Sequence, residues 1–235
     1  MNLRLVVRSI ICLFVLGFHP ISALTQSDSK AKVEVESLLK KSVQAFDSGE
    51  WTHSISSDEL ALNACRTQFS ENNPLCINIM KNNALAYQQA GVIYENAEKI
   101  ERAYRIALSQ LGPTHYSTII TREIFYQLTT IEKRYSETIP LVIAFIHHER
   151  INNNDRHKIL DWFIELYDLY EKTNQMQYEE PTLESIVSLT EKKYGIESNN
   201  FKQSVSALAR CYCGQKKHTA LNALKDKYSL EINCD

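Results

Sequence analysis

Cysteine and histidine are the residues of this chain whose chemistry could exceed packing, and their spacing limits what that chemistry could be. Cys65 and Cys76 flank the polar stretch SENNP, Cys211 and Cys213 stand two apart, and Cys234 is the penultimate residue. Cys65 falls late in one helical segment and Cys76 early in the next, so an antiparallel pair would bring them side by side. A disulfide closing so short a loop would contribute roughly 3 kcal/mol. Cys211 and Cys213 on one helix point away from one another, which disfavours a mutual bond. Cys234 would have to fold straight back along the last helix to reach either. Whatever the scheme, one thiol is left over. That leaves two further readings open: thiol-disulfide exchange through Cys211 or Cys213, and an intermolecular bond that would make the chain a homo-oligomer.

His147, His148, Glu149 and His157 are the second group with chemical potential. Adjacent helix residues point about 100° apart, so His147 and His148 cannot both face one ion, and no i, i+4 ligand pair exists. Imidazoles at a helix C-terminus sit favourably against its dipole, which accounts for them without a metal. No glycine-rich phosphate loop, nucleophile elbow or isolated carboxylate pair is present in the sequence. The expectation is a non-catalytic protein with no cofactor.

The elements that carry these residues are bounded by a distinct amino terminus. Arg4 and Arg8 precede an apolar run from Ile10 to Phe18, followed by Pro20 and a small-residue site ending at Ala23. This is the layout of a secretory signal peptide over residues 1–23, cleaved after Ala23; a retained anchor is the alternative. Cys12 lies inside this run. Loss of Arg4 and Arg8 takes the 26 Lys and Arg to 24 against 28 Asp and Glu, a formal net charge of −4 on the domain 24–235. A mildly acidic chain without a basic tract has no electrostatic footprint for nucleic acid or anionic lipid, and no membrane insertion is read after cleavage. The implied location is extracytoplasmic, periplasmic or secreted.

Within 24–235 a beat is visible. Trp51, Tyr94, Tyr135 and Tyr178 recur at intervals of 43, 41 and 43 residues, and His218 stands 40 further on. Such a period signals stacked helical pairs, each burying its apolar face on its neighbour. Apolar residues keep helical spacing between the marks: Tyr94, Ala97, Ile100, Tyr104, Ala107 and Leu111 form one stripe, and Ile120, Ile124, Leu128 and Ile131 another. In DWFIELYDLY the stripe widens to Phe163, Leu166, Tyr167 and Tyr170 on one face and Leu160 and Ile164 on a second. Helices are predicted near 30–47, 52–70, 74–89, 94–110, 114–131, 136–149, 156–173, 182–194, 200–213 and 216–228, with no persuasive strand. Gly49, Gly91, Gly112, Gly195 and Gly214 are read as turns, Pro74 and Pro113 as helix starts, and Asp155 and Ser56 as N-caps.

YENAEKIERA followed by LGPTH, preceded by NNALAYQQAG, resembles the tetratricopeptide repeat in its longer kinesin-light-chain form of about 42 residues. Asn82, Ala84, Tyr87, Gly91, Tyr94, Ala97, Leu111, Gly112, Pro113 and His115 fall in the family's order, and YEEPTLES with KKYGIES repeats the pattern with Pro181 in place of alanine. The resemblance implies an all-α fold, an α-solenoid of antiparallel helix pairs with four to five units in a right-handed superhelix. It further implies a concave groove, lined by the first helix of each pair, that holds a protein or peptide partner. Asn82 matches the asparagine that contacts ligands in that family, and the same register directs Lys81, Glu123 and Gln127 toward the groove. The later units carry no matching asparagine.

Overall fold

The computed structural model describes residues 26–153, 155–231 and 234. The leader assigned to residues 1–23 lies outside the described residues. Among these, ten α-helices follow one another without a strand: α1 (Gln26–Asp47), α2 (Trp51–Gln68), α3 (Pro74–Ala90), α4 (Ala97–Leu111), α5 (Tyr116–Ile131), α6 (Tyr135–His148), α7 (Arg156–Lys172), α8 (Glu179–Tyr194), α9 (Asn199–Gly214) and α10 (His218–Tyr228). Each helix packs on its predecessor and successor, and α3 packs on α5 as well. The fold is an α-solenoid of five helix pairs, opening with α1–α2 and closing with α9–α10.

The aromatic beat marks one recurring place, the start of the second helix of each pair. Trp51, Tyr135 and His218 are the first residues of α2, α6 and α10. Tyr94 opens the short 3-10 turn Tyr94–Asn96 ahead of α4, and Tyr178 closes the equivalent turn Met176–Tyr178 ahead of α8.

Local chemistry explains most boundaries. Asn73, Asp155 and Ser198 cap α3, α7 and α9, their side-chain oxygens accepting from Leu75 N, from His157 N and Lys158 N, and from Phe201 N. Pro74 follows its cap at the first helical position, where no N–H is needed. Gly112 and Gly195 end α4 and α8 at φ 79° and 77° with ψ 172° and 163°, a region essentially closed to other residues. A Cβ on either would meet nothing within 4 Å, so backbone conformation alone demands glycine there.

Several expectations need correction. Ser56 is not a cap: it lies inside α2, its hydroxyl donating to Thr52 O at 3.0 Å, because α2 begins directly at Trp51. Pro113 precedes α5 instead of starting it, and His115 is the cap, its Nδ1 accepting from Ser117 N at 3.1 Å. Gly214 is the last residue of α9, and Lys216 takes the left-handed turn position at φ 56°. Tyr94, Ile131 and Ile164 keep helical spacing yet are exposed, each at the edge of a stripe whose centre is buried.

The core runs along the array in three clusters. Val35, Ala61, Cys65, Cys76, Ile77, Ile79, Ala103 and Ala107 fill the α1–α4 section; Tyr87, Ile100, Ile124, Phe125, Leu128 and Phe145 fill the middle. Val142, Phe163, Leu169, Val187, Phe201, Val205 and Tyr212 belong to the third, from α6 to α10. Each large apolar side chain so buried contributes about 1.5–3 kcal/mol. Two disulfides supplement this packing. Cys65 on α2 bonds Cys76 on α3 with Cα atoms 5.7 Å apart, and Cys213 on α9 bonds Cys234 with Cα atoms 5.4 Å apart. The second bond forms because Ser229 ends α10 in a left-handed conformation and Leu230 packs on the core, turning the tail back.

Candidate functional site

Among the described residues the leftover thiol is Cys211. It is half-buried on α9 and accepts a hydrogen bond from Gln215 Nε2 at 3.2 Å. Burial pushes its pKa up, and the carboxylates of Glu179 and Glu180 add to that rise against the opposing charge of Lys217. A thiol held protonated is a poor nucleophile, so the arrangement works against exchange chemistry at this position. His148 pairs with Asn152 at 3.0 Å, and His147 and His148 form the last turn of α6. Among the described residues no group of three or more His, Cys, Asp or Glu could hold a metal ion.

Polar side chains instead gather where the first helices of successive pairs meet. Gln88 on α3 donates from Nε2 to Gln127 Oε1 on α5 at 2.9 Å. One step along, Tyr126 on α5 donates its hydroxyl to Glu165 Oε1 on α7 at 3.4 Å. Both bonds join elements of the same rank in consecutive units, which repeat packing brings side by side. Beneath Tyr126 lies an aromatic cluster: its ring meets Phe145 and Trp162 edge-on, each at 5.5 Å, and Phe145 stacks on Trp162 at 4.6 Å. Tyr126 and Trp162 are half-buried, so part of each ring remains accessible.

Charged groups on this side are unevenly solvated. Arg122 is 2% exposed, lies over the Phe145 ring at 5.0 Å, and its Nε and Nη2 have no hydrogen-bond partner among the described residues. Burial pushes its pKa down, against the pull of Tyr104 and Glu123. Glu123, next along α5, is exposed, yet the protein around it pushes its carboxyl above the ordinary carboxylate range, with Arg122 and Lys158 drawing it back. An exposed group crowded by protein marks a partly enclosed surface.

The residues singled out from sequence are therefore distributed as follows. Gln127 joins Gln88. Glu123 lies beside Arg122 and near Lys158. Asn82 is half-buried on α3. Lys81 is largely buried, its ammonium 5.3 Å above the exposed Tyr116 ring, and burial lowers its pKa while the charge of Asp58 raises it. Asp58 on α2 is fully buried without a hydrogen-bond partner in regular geometry; burial pushes it up to about 7, against the pull of Ser42 and Lys81. Gln88, Tyr126, Trp162 and Glu165 escaped the sequence reading. Gln88 had a signal, since it follows Lys81 by two helical turns. Trp162 had none, because neither apolar stripe read in DWFIELYDLY includes it.

No protein-family model and no curated protein matches this chain. Solved structures with similar architecture exist. A putative kinesin light chain with nearly identical TPR-like repeats from Podosopora anserina is 18% identical, with 87% of this chain and 95% of that one covered, at a TM-score of 0.48. A substituted form of that protein gives 17% identity, 88% and 96% coverage, and the same TM-score. BtubC (BKLC) from P. vanneervenii is 13% identical over 89% of this chain and 91% of its own, at a TM-score of 0.45.

Proposed function

We propose that the face formed by α3, α5 and α7 holds an extended segment of another protein, and that the chain is a non-catalytic scaffold acting outside the cytoplasm once residues 1–23 are removed. The observation that carries this reading is the Gln88–Gln127 pair. Each amide has two donor hydrogens and an acceptor oxygen. Their mutual bond leaves Gln88 Oε1 and Gln127 Nε2 unused, an acceptor and a donor side by side. A peptide backbone presents the same two groups in alternation, so the pair matches it in kind. Glu123 extends this polar track along α5, Lys81 contributes its charge through Tyr116, and Asn82 stands about 120° round α3 from Gln88. The half-buried rings of Tyr126 and Trp162 offer an apolar seat for a side chain of the bound segment. Location is supported by the two disulfides, which persist in oxidising compartments. Among the described residues, no helix is long and apolar enough to cross a membrane.

The test is affinity capture from the native compartment with the parent chain and with Gln127→Ala and Trp162→Ala variants whose circular-dichroism melts match the parent. Loss of the same captured band from both variants is the expected result. Undiminished recovery by both would remove the groove from consideration.

A further inference from the structure

Between α2, α3 and α4 lies a cavity of about 200 Å³. Successive helix residues turn by about 100°, so Met80, Asn83, Ala84 and Tyr87 share the face that lines it, with Gln88 at its border. Leu62 of α2 joins Met80, Ala84 and the Tyr87 ring as an apolar lining. Within it stands Asn83, 4% exposed, whose Oδ1 has no hydrogen-bond partner. An unpaired buried acceptor is costly, and a ligand N–H would relieve it.

The rim is cationic. Arg66 and Arg102 both bond Glu71, Arg102 also donating from Nε at 3.0 Å, and Lys99 bonds Glu59, to which Tyr87 donates its hydroxyl at 3.0 Å. Three cations thus face two carboxylates, leaving one positive charge in excess, and both guanidiniums share a single acceptor group. The walls differ in rigidity. The Cys65–Cys76 bond fixes α2 to α3, whereas α4 is tied across the rim through Lys99–Glu59 and Arg102–Glu71. A carboxylate entering here can compete with Glu71 for its arginines.

We infer that this cavity is a second binding site, for an apolar amino-acid unit bearing an acylated nitrogen and a free carboxylate. The N–H donates to Asn83 Oδ1, the side chain rests on Leu62, Met80 and Tyr87, and the carboxylate meets Arg66 and Arg102. The volume falls below the roughly 300–1,000 Å³ of pockets that enclose drug-sized molecules, and suits one large residue. Such a unit occurs both as a free N-acyl amino acid and as the carboxyl end of a peptide. The site does not depend on the groove reading, since its lining shares no side chain with the groove.

Titration calorimetry of the full chain, disulfides intact, with N-acetyl-leucine tests the site, and amide NMR locates it through the Asn83 side-chain resonance. Saturable binding is the expected result, with N-acetyl-leucinamide weaker by about tenfold or more, the loss of one charge-assisted hydrogen bond. Asn83→Leu and the surface variant Arg102→Gln should each weaken N-acetyl-leucine by about fivefold or more while melting like the parent. An acetylated tetrapeptide ending in leucine separates the sources: equal or tighter binding assigns the site to chain ends, and much weaker binding assigns it to the free compound. No saturation up to about 10 mM, equal binding of the neutral amide, or unchanged binding by a folded Arg102→Gln variant overturns the proposal.

Discussion

At the α2–α3 junction half of the buried side chains are small: Ala61, Cys65 and Cys76, with Ala103 and Ala107 of α4, sit among Val35, Leu62, Ile77, Ile79 and Met80. At the α6–α7 junction they are large, with Val142, Ile146, Ile159, Leu160 and Phe163 packed beside the Phe145–Trp162 stack. Small residues let helices approach closely but bury little apolar area apiece, and stabilisation scales with that area at about 25 cal/mol per Å². A covalent bond between α2 and α3 offsets the deficit. The aromatic junction has no disulfide to add to its larger buried area. The same stacking problem thus has two physical solutions in one array, and the disulfide-linked one is where the cavity and the buried Asp58 occur.

The most disruptive test of this contrast is Phe145→Ala. It removes a buried ring in contact with Trp162, Tyr126 and Arg122, and should cost about 3–5 kcal/mol. Because stability in a stacked array is largely a sum over neighbours, hydrogen exchange should quicken across residues 116–172 and change little across 26–90. The complementary test is the Cys65→Ser, Cys76→Ser pair. Opening a loop with a sequence separation of 11 should cost about 3 kcal/mol, with the faster exchange now confined to α1–α4. Uniform exchange along the chain in either variant would show that the two junctions melt as one unit and that the contrast has no energetic content.

Asp58 sharpens the comparison through pH. Its carboxyl rises from the ordinary 3.8 to about 7 in the folded chain. The folded state therefore keeps a proton between these values that the unfolded state has released. Stability gained from this group is full below about pH 4, is lost as pH rises toward 7, and stays lost above it. The expected span is on the order of 4 kcal/mol. Asp58→Asn should flatten the slope of stability between pH 4 and 7 and raise the melting temperature at pH 8. A parent chain with no such slope would mean that Asp58 is ionised and paired when folded.

Much of this architecture could be read beforehand, and the exceptions share a cause. The forty-odd-residue beat located every second helix because Trp51, Tyr94, Tyr135, Tyr178 and His218 stand at or just before its start. The Cys65–Cys76 bond was legible because both residues border one short loop. Orientation around α3 was harder. Cys76, Ile77, Ile79, Met80, Lys81, Asn83, Ala84, Ala86 and Tyr87 are all buried, since α3 packs on α2, α4 and α5. A helix covered on several sides has no polar stripe from which to read its facing, so Lys81 pointed to a surface and Asn83 to nothing. His115 as a cap escaped because imidazole rarely fills that role in the preferred set.

The smallest expected effect concerns the turns within pairs, which divide the array as the junctions do. The first two pairs turn through Gly49 and Gly91 at φ 79° and 75°, whereas the last three use Lys133, Asn174 and Lys216 at 55–56°. Left-handed backbone strains an L side chain by about 1–2 kcal/mol, partly cancelled by the freedom glycine loses on folding. Lys133→Gly should then stabilise by up to about 1 kcal/mol, and Gly91→Ala should destabilise by a similar amount. For a chain of this size each corresponds to a melting shift of about 2–4 °C in opposite directions. A Cβ at Gly91 would meet nothing within 4 Å, so its substitution measures conformation alone. Lys133→Ala supplies the control, because it keeps the strained backbone and removes only the long side chain. If Lys133→Gly and Lys133→Ala lower the melting temperature equally, the lysine side chain stabilises its turn by contact, and the later pairs are held at their turns by side chains where the early pairs rely on glycine.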